Sequence, residues 1–240
     1  MHRRTATQTF MPPRSPHSYP SAAGRKPVIS RDDVIAAALT LLEPHRSVSS
    51  LSLREVARQA GIAPNSFYRQ FRDMDELALA LIDRAGSSLR EVIGAARQRA
   101  LTQRSVVRAS VEVFMQQLRS DDRLLHVLLR EGTLGSNAFK HAVDQQLNYF
   151  EEELRLDLIR LAEIQKTGLH EPAITAKAIT RLVFAMGATA INLPDEQLPA
   201  LAEQLVVMVR TILVGTQTLA RNPSLADIDR PPAQRGRVAA

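Results

Sequence analysis

LSLREVARQAGIAPNSFYRQFRDMDEL, residues 51–77, carries two short amphipathic segments on either side of Gly61. Ser52 and Glu55 stand at the spacing where a hydroxyl caps a helix and a carboxylate reaches back to the cap's own amide, with Leu51 and Val56 as the apolar staple. Leu53, Val56, Ala57 and Ala60 line one side of this helix, and Gly61 follows where a left-handed C-cap is wanted. Pro64 suits the first position of the next helix, whose Phe67 and Phe71 face inward with Ile62. At about 100° per residue, Asn65, Ser66, Tyr68, Arg69 and Arg72 fall on the opposite side, with Gln70 at the margin.

A helix, a tight glycine turn and a short helix with an exposed polar and aromatic flank form a helix-turn-helix. An α-helix fits the major groove of B-DNA, so a short helix held rigidly can offer its outer flank to base edges. The first turn of the preceding helix, with Arg54, can grip phosphate. Tyr68 offers a ring to a thymine methyl or sugar and a hydroxyl to phosphate; Arg69 and Gln70 can bond guanine and adenine edges. A purely structural αα-corner shares part of this pattern. The coincidence of capping box, glycine, proline, aromatic pair and outward basic flank favours DNA.

Outward from this stretch almost everything has helical period, and no strand or repeat stands out. Ser30 should cap a first helix with Asp32 and Asp33 in its opening turn, Ile29 stapled to Val34, and Pro44 as its end. A longer helix should run through 75–99, followed by others at roughly 105–120, 122–131, 137–164, 172–193 and 195–220. Residues 1–28 and 222–240, rich in Pro, Arg and polar residues without periodicity, should lack fixed structure. The expected division is a basic arm (1–28), a DNA-binding domain (29–74), a ligand-binding and dimerisation domain (75–221) and a tail.

The formal charge of +6 over 240 residues is unevenly placed. Residues 1–29 hold five basic side chains and no acid, and 30–72 hold six basic against four acidic. Residues 73–220 hold 16 basic against 19 acidic. A basic front on a neutral-to-acidic body suits a polyanion-binding module joined to something else. Arg25 and Lys26, just before the first helix, are placed to enter a minor groove as other N-terminal arms do. The absence of Cys excludes disulfides, thiolate zinc sites and cysteine nucleophiles. Neither a secretory signal nor an uncharged run of membrane-spanning length is apparent, Arg210 interrupting the best candidate, so the expectation is a cytoplasmic protein without membrane insertion.

GIAPNSFYRQFRDMDEL resembles the recognition helix and following turn of the TetR family of bacterial transcriptional regulators. Tyr68, Phe71 and Leu77 fit its pattern, and Arg54 matches the start of its second helix. SLSLREVARQAGIAP, FYRQFRDMDELAL and LLREGTLGSNAFKHAV (128–143) resemble the FabR and DesT branch, which regulates fatty-acid synthesis and desaturation. The likeness covers about 30–220, densely at the front and thinly after 145. It implies an all-α, Ω-like homodimer on a pseudo-palindromic double-stranded operator, with Arg54, Ser66, Tyr68, Arg69 and Gln70 at the DNA. It also implies a hydrophobic effector, an acyl chain on coenzyme A or acyl carrier protein, and no cofactor or metal.

In the body, Phe114, Leu118, Leu125, Leu128, Leu129, Phe150, Phe184 and Gly187 are candidate cavity walls, though each such residue is more commonly plain core. Arg130 and Lys140 flank the GTLGS turn and could hold a phosphorylated headgroup or simply face solvent. Leu182, Ala185, Met186 and Thr189 stripe one late helix, and Leu201, Leu205, Met208, Val209 and Ile212 stripe the next. They suit a four-helix dimer interface or burial within one subunit, and a DNA-binding role tips the choice to the dimer. The histidines lack metal-ligand spacing, and no nucleophile elbow or dinucleotide fingerprint occurs, so catalysis finds no support. The alternative is a repressor of an efflux or catabolic operon that senses another hydrophobic ligand. A helical protein-interaction module fits the body but leaves the basic front unexplained.

Overall fold

The chain enters α1 (Arg31–Leu41) through a reciprocal cap: the Ser30 hydroxyl accepts the Asp33 amide, and the Asp33 carboxylate accepts the Ser30 amide at 2.9 Å. The structure, a computed structural model, describes residues 29–42, 46–100, 106–120 and 123–226. Pro44, the basic arm and the tail from 227 lie outside these residues. A 3₁₀ turn (Val48–Ser50) leads to α2 (Leu53–Gln59). Here Ser52 Oγ accepts the Glu55 amide at 3.3 Å, and Glu55 Oε2 accepts the Ser52 amide at 3.0 Å, which is the expected box. Gly61 has φ +67°, and a Cβ there would meet nothing within 4 Å, so backbone conformation rather than space calls for glycine.

The same box makes α2 sensitive to acid. The Ser52 hydroxyl and amide, then Arg46, pull the Glu55 carboxyl from 4.5 to about 2. A depressed folded-state value contributes stability above pH 4.5 that is lost as pH falls toward 2. An NMR titration should show the Ser52 and Glu55 amides holding their cap until that window. Titration of Glu55 at the ordinary carboxylate value would rule the box out in solution.

After α3 (Pro64–Phe67) come α4 (Met74–Ala100), α5 (Val106–Arg119), α6 (Leu124–Leu134), α7 (Asn137–Gln165), α8 (Pro172–Ala190), α9 (Leu198–Arg221) and α10 (Pro223–Ala226). α10 is a short turn of helix where an unstructured tail was expected from 222. Among the described residues there is no strand, and the fold is all-α. α4 packs against α5, α6 and α7, α7 against α8, and α9 against α5 and α8. One apolar core runs from Val34 and Phe67 in the front helices through Leu77, Leu81 and Leu89 of α4 to Phe184 and Leu205. α4, with 27 residues and about 40 Å of length, therefore belongs to both ends of the molecule.

The stripe expected at a dimer interface divides differently. Leu201, Leu205 and Val209 are buried within the subunit, because α9 turns that flank toward α5 and α8. Val207, Met208 and Val214 are the large apolar side chains that α9 leaves exposed, with Ile174 on α8. By length and composition alone Pro172–Ala190 and Asp195–Arg221 reach the apolarity of a membrane span, which a search for uncharged runs passes over.

Candidate nucleic-acid interface and apolar cavity

α3 is only four residues long, and tight turns carry the chain on to Phe71, whose amide donates to the Phe67 carbonyl at 3.1 Å. The unit is shorter than the rod expected over 64–72, so its position depends on anchoring. Phe67 and Phe71 are fully buried with ring centroids 5.7 Å apart. Tyr68 is 59% exposed, its ring edge-on to Phe67 at 5.8 Å, so its base is buttressed while its hydroxyl faces water. Asn65, Arg69 and Arg72 are exposed beside it, Ser66 is half-buried, and Arg54 and Arg58 are exposed on α2.

Gln70 stands apart from this group. Its side-chain amide donates to the Ile29 carbonyl at 2.8 Å, so it ties the end of the α3 unit to the start of α1 instead of reaching outward. Arg31, not singled out from the sequence, completes the tie. It donates to the Gln70 carbonyl at 2.7 Å, pairs with Glu76 at 2.8 Å and lies 4.0 Å from the Phe71 ring centre. One signal was available: an arginine in the first turn opposes the helix dipole and needs a local anion. Arg72 pairs with Asp73 at 2.8 Å, which raises the arginine pKa and lowers that of the aspartate. Backbone and Arg31 hydrogen bonds likewise hold Glu76 below the usual carboxylate value. Asp73 and Glu76, which border this surface, are thus neutralised internally. Arg25 and Lys26 lie outside the described residues.

A second feature lies in the body. α4, α5, α7, α8 and α9 line an apolar cavity of about 120 Å³. Three of the expected walls line it, Phe114, Phe150 and Phe184, with the Phe184 ring tilted against the other two at centroid distances of 6.0 and 5.3 Å. Gly187 serves it indirectly: a Cβ there would lie 2.6 Å from Phe114 Cζ, so glycine lets that ring sit against α8. Leu128 and Leu129 border a separate depression with Lys140 and Arg181, and Phe184 lies between the two spaces. Leu118 and Leu125 are core, and Arg130 is a half-buried α6 residue outside both linings. Arg97 lines the main cavity, a position the sequence reading missed because an arginine in an amphipathic helix reads as solvated. Among the described residues no cluster of His, Asp or Glu is arranged to hold a metal ion.

Body and front are also joined directly. Glu131 of α6 is completely buried, and its Oε1 accepts the Ser47 hydroxyl at 2.7 Å and the Val48 amide at 2.8 Å. Arg123, at the start of the same helix, donates to the Thr40 and Leu42 carbonyls at the end of α1. α6 thus grips the α1–α2 connection at two points.

Residues 34–81 match the family model described as bacterial regulatory proteins, tetR family. The reduced form of E. coli NemR is a similar solved structure, at 18% identity and TM-score 0.61, covering 76% of this chain and 97% of that one. AibR in complex with isovaleryl coenzyme A and operator DNA matches at 13% identity and 0.54, covering 75% and 97%. EbrR, a multidrug binding protein complexed with malachite green, matches at 16% and 0.57, covering 76% and 97%. At these identities the structures speak for the shared fold alone.

Proposed function

We propose that this chain is a TetR-type DNA-binding regulator, not an enzyme, and that it represses genes of fatty-acid or lipid metabolism under the control of a long-chain acyl thioester bound in its C-terminal domain. The observation carrying this reading is the position of the apolar cavity on α4, the helix that starts directly after the α3 unit and shares its core. A ligand that parts α4 from α5 or α7 shifts the base on which Phe67 and Phe71 rest. It biases the DNA-binding state only if it binds one arrangement better than the other. Residues 29–74 would form the DNA-binding domain and 75–221 the ligand and dimer domain.

The acyl assignment draws on the resemblance at 50–79 and 128–143 and on the complex of AibR with isovaleryl coenzyme A. At about 120 Å³ the cavity is smaller than the roughly 300–1,000 Å³ usual for drug-sized ligands, so a long chain enters by separating the surrounding helices. Exposed Val207, Met208, Val214 and Ile174 would meet their symmetry mates in a homodimer. The dimer would set two α3 units in successive major grooves, about 34–36 Å apart.

Duplexes selected from a random library give the operator, and fluorescence anisotropy then reads the effect of acyl-CoAs of graded length. A change in operator affinity with acyl-CoA, absent with coenzyme A alone, is the expected result. A response only to dyes or other hydrophobic compounds would move the target to an efflux or catabolic operon. Tyr68→Ala should lose specific binding while keeping its helicity and dimeric mass. Arg69→Ala should relax preference at one base pair by about 1–3 kcal/mol, whereas uniform weakening over all sequences would assign Arg69 to phosphate.

A further inference from the structure

Among the described residues lining the main cavity, Arg97 is the one that carries a charge, and it is 6% exposed. The other polar side chains in the wall are Ser110 and Thr180. A guanidinium in such a wall is costly unless its donors are met, and it has five. Here Nε donates to Asp157 Oδ2 at 2.7 Å, while Nη2 lies 3.7 Å from Glu153 Oε2, beyond hydrogen-bond length. Neither acid belongs to Arg97 alone. Glu153 is held by Arg90 at 3.2 Å, and Asp157 by Arg160 at 3.6 Å and Gln98 at 2.9 Å. Three guanidiniums therefore share two carboxylates.

We propose that Arg97 is the ligand-reading residue of the cavity and bonds an acyl oxygen, that of a carboxylate or a thioester carbonyl, on an otherwise apolar chain. The inference rests on the cavity being the effector site. The chemistry follows from the wall: aromatic and aliphatic side chains take the chain without discrimination, and only a group that accepts hydrogen bonds gains from the unspent guanidinium donors. Charge-assisted bonds of this kind are about twice as strong as neutral ones. An alcohol of equal length fills the same space but offers a weaker acceptor.

Calorimetric titration of the full chain with decanoate, decanoyl-CoA and decanol tests this. The wild type should bind at least one of the two acyl compounds about tenfold or more tighter than decanol, as hydrogen bonds to charged groups imply. Which of them prevails distinguishes a free acid from a thioester. In Arg97→Met/Asp157→Asn, which removes the buried charge together with its nearest counter-charge, the preference should fall to near unity while decanol binding persists. Arg97→Lys, which keeps the ion pair but not the fork, should retain part of the preference and serves if the double variant does not fold. Equal binding of acyl compounds and alcohol by the wild type, or an unchanged preference in the variants, overturns the role of Arg97 and leaves the effector cavity standing. Failure of every chain, decanol included, to bind overturns both.

Discussion

Phe67→Ala should cost the front three helices about 3–5 kcal/mol and abolish the proposed operator binding at every salt concentration. The size of the effect follows from the brevity of α3. Four residues cannot sustain a helix by their own hydrogen bonds, because nucleation is unfavourable and propagation scarcely begins. The orientation of the unit comes from Phe67, fully buried among the residues of α1, α2 and α4, and from the Phe71 ring beside it. Truncation removes the wedge and the edge-on support beneath Tyr68 together. Differential scanning calorimetry should show an early loss of the front helices with the main transition of the body retained. A variant that binds operator as the wild type does would mean that other contacts position α3.

Glu131→Ala should have the second largest effect, split between stability and signalling. The substitution leaves the buried Val48 amide without its acceptor, at roughly 1–3 kcal/mol, and leaves the half-buried Ser47 hydroxyl to Ser49. At about 2–4 °C per kcal/mol, the thermal midpoint falls by several degrees. It also frees one of the two points at which α6 holds the α1–α2 connection, the other being Arg123. Effector addition should then change operator affinity much less than in the wild type, although ligand still binds. Glu131→Gln keeps an acceptor oxygen and should be milder on both counts. A full effector response in Glu131→Ala would show that α4 carries the coupling without α6.

Much of this was legible because the signals are local. The Ser52–Glu55 box, the Ser30 cap and the Gly61 turn lie within a few residues of their partners, and each is found where the spacing places it. The inward facing of Phe67 and Phe71 follows from a period of 3.6. Long-range partnerships were not legible. Arg97 meets Asp157 sixty residues away, and Glu131 meets Val48 across 83, so neither pair leaves a pattern in its own helix. Gln70 stood at the margin of the outer flank, and only the fold shows that Ile29 claims its amide. On α9 the apolar residues cover more than one flank, and periodicity alone put Met208, which is exposed, in one stripe with Leu205 and Val209, which are buried.

The ion pairs around the recognition unit bear on how tightly salt governs its grip. Arg31, Arg46 and Arg72 are each matched by a nearby carboxylate, whereas Arg54, Arg58 and Arg69 have no such match among the described residues. Counterions condensed on a duplex are released by unmatched cations, at a slope of about −0.9 per phosphate neutralised. On DNA bound as proposed, these helices would offer three unmatched guanidiniums where residues 30–72 hold six, and ionic strength should loosen the complex less steeply than the arginine content suggests.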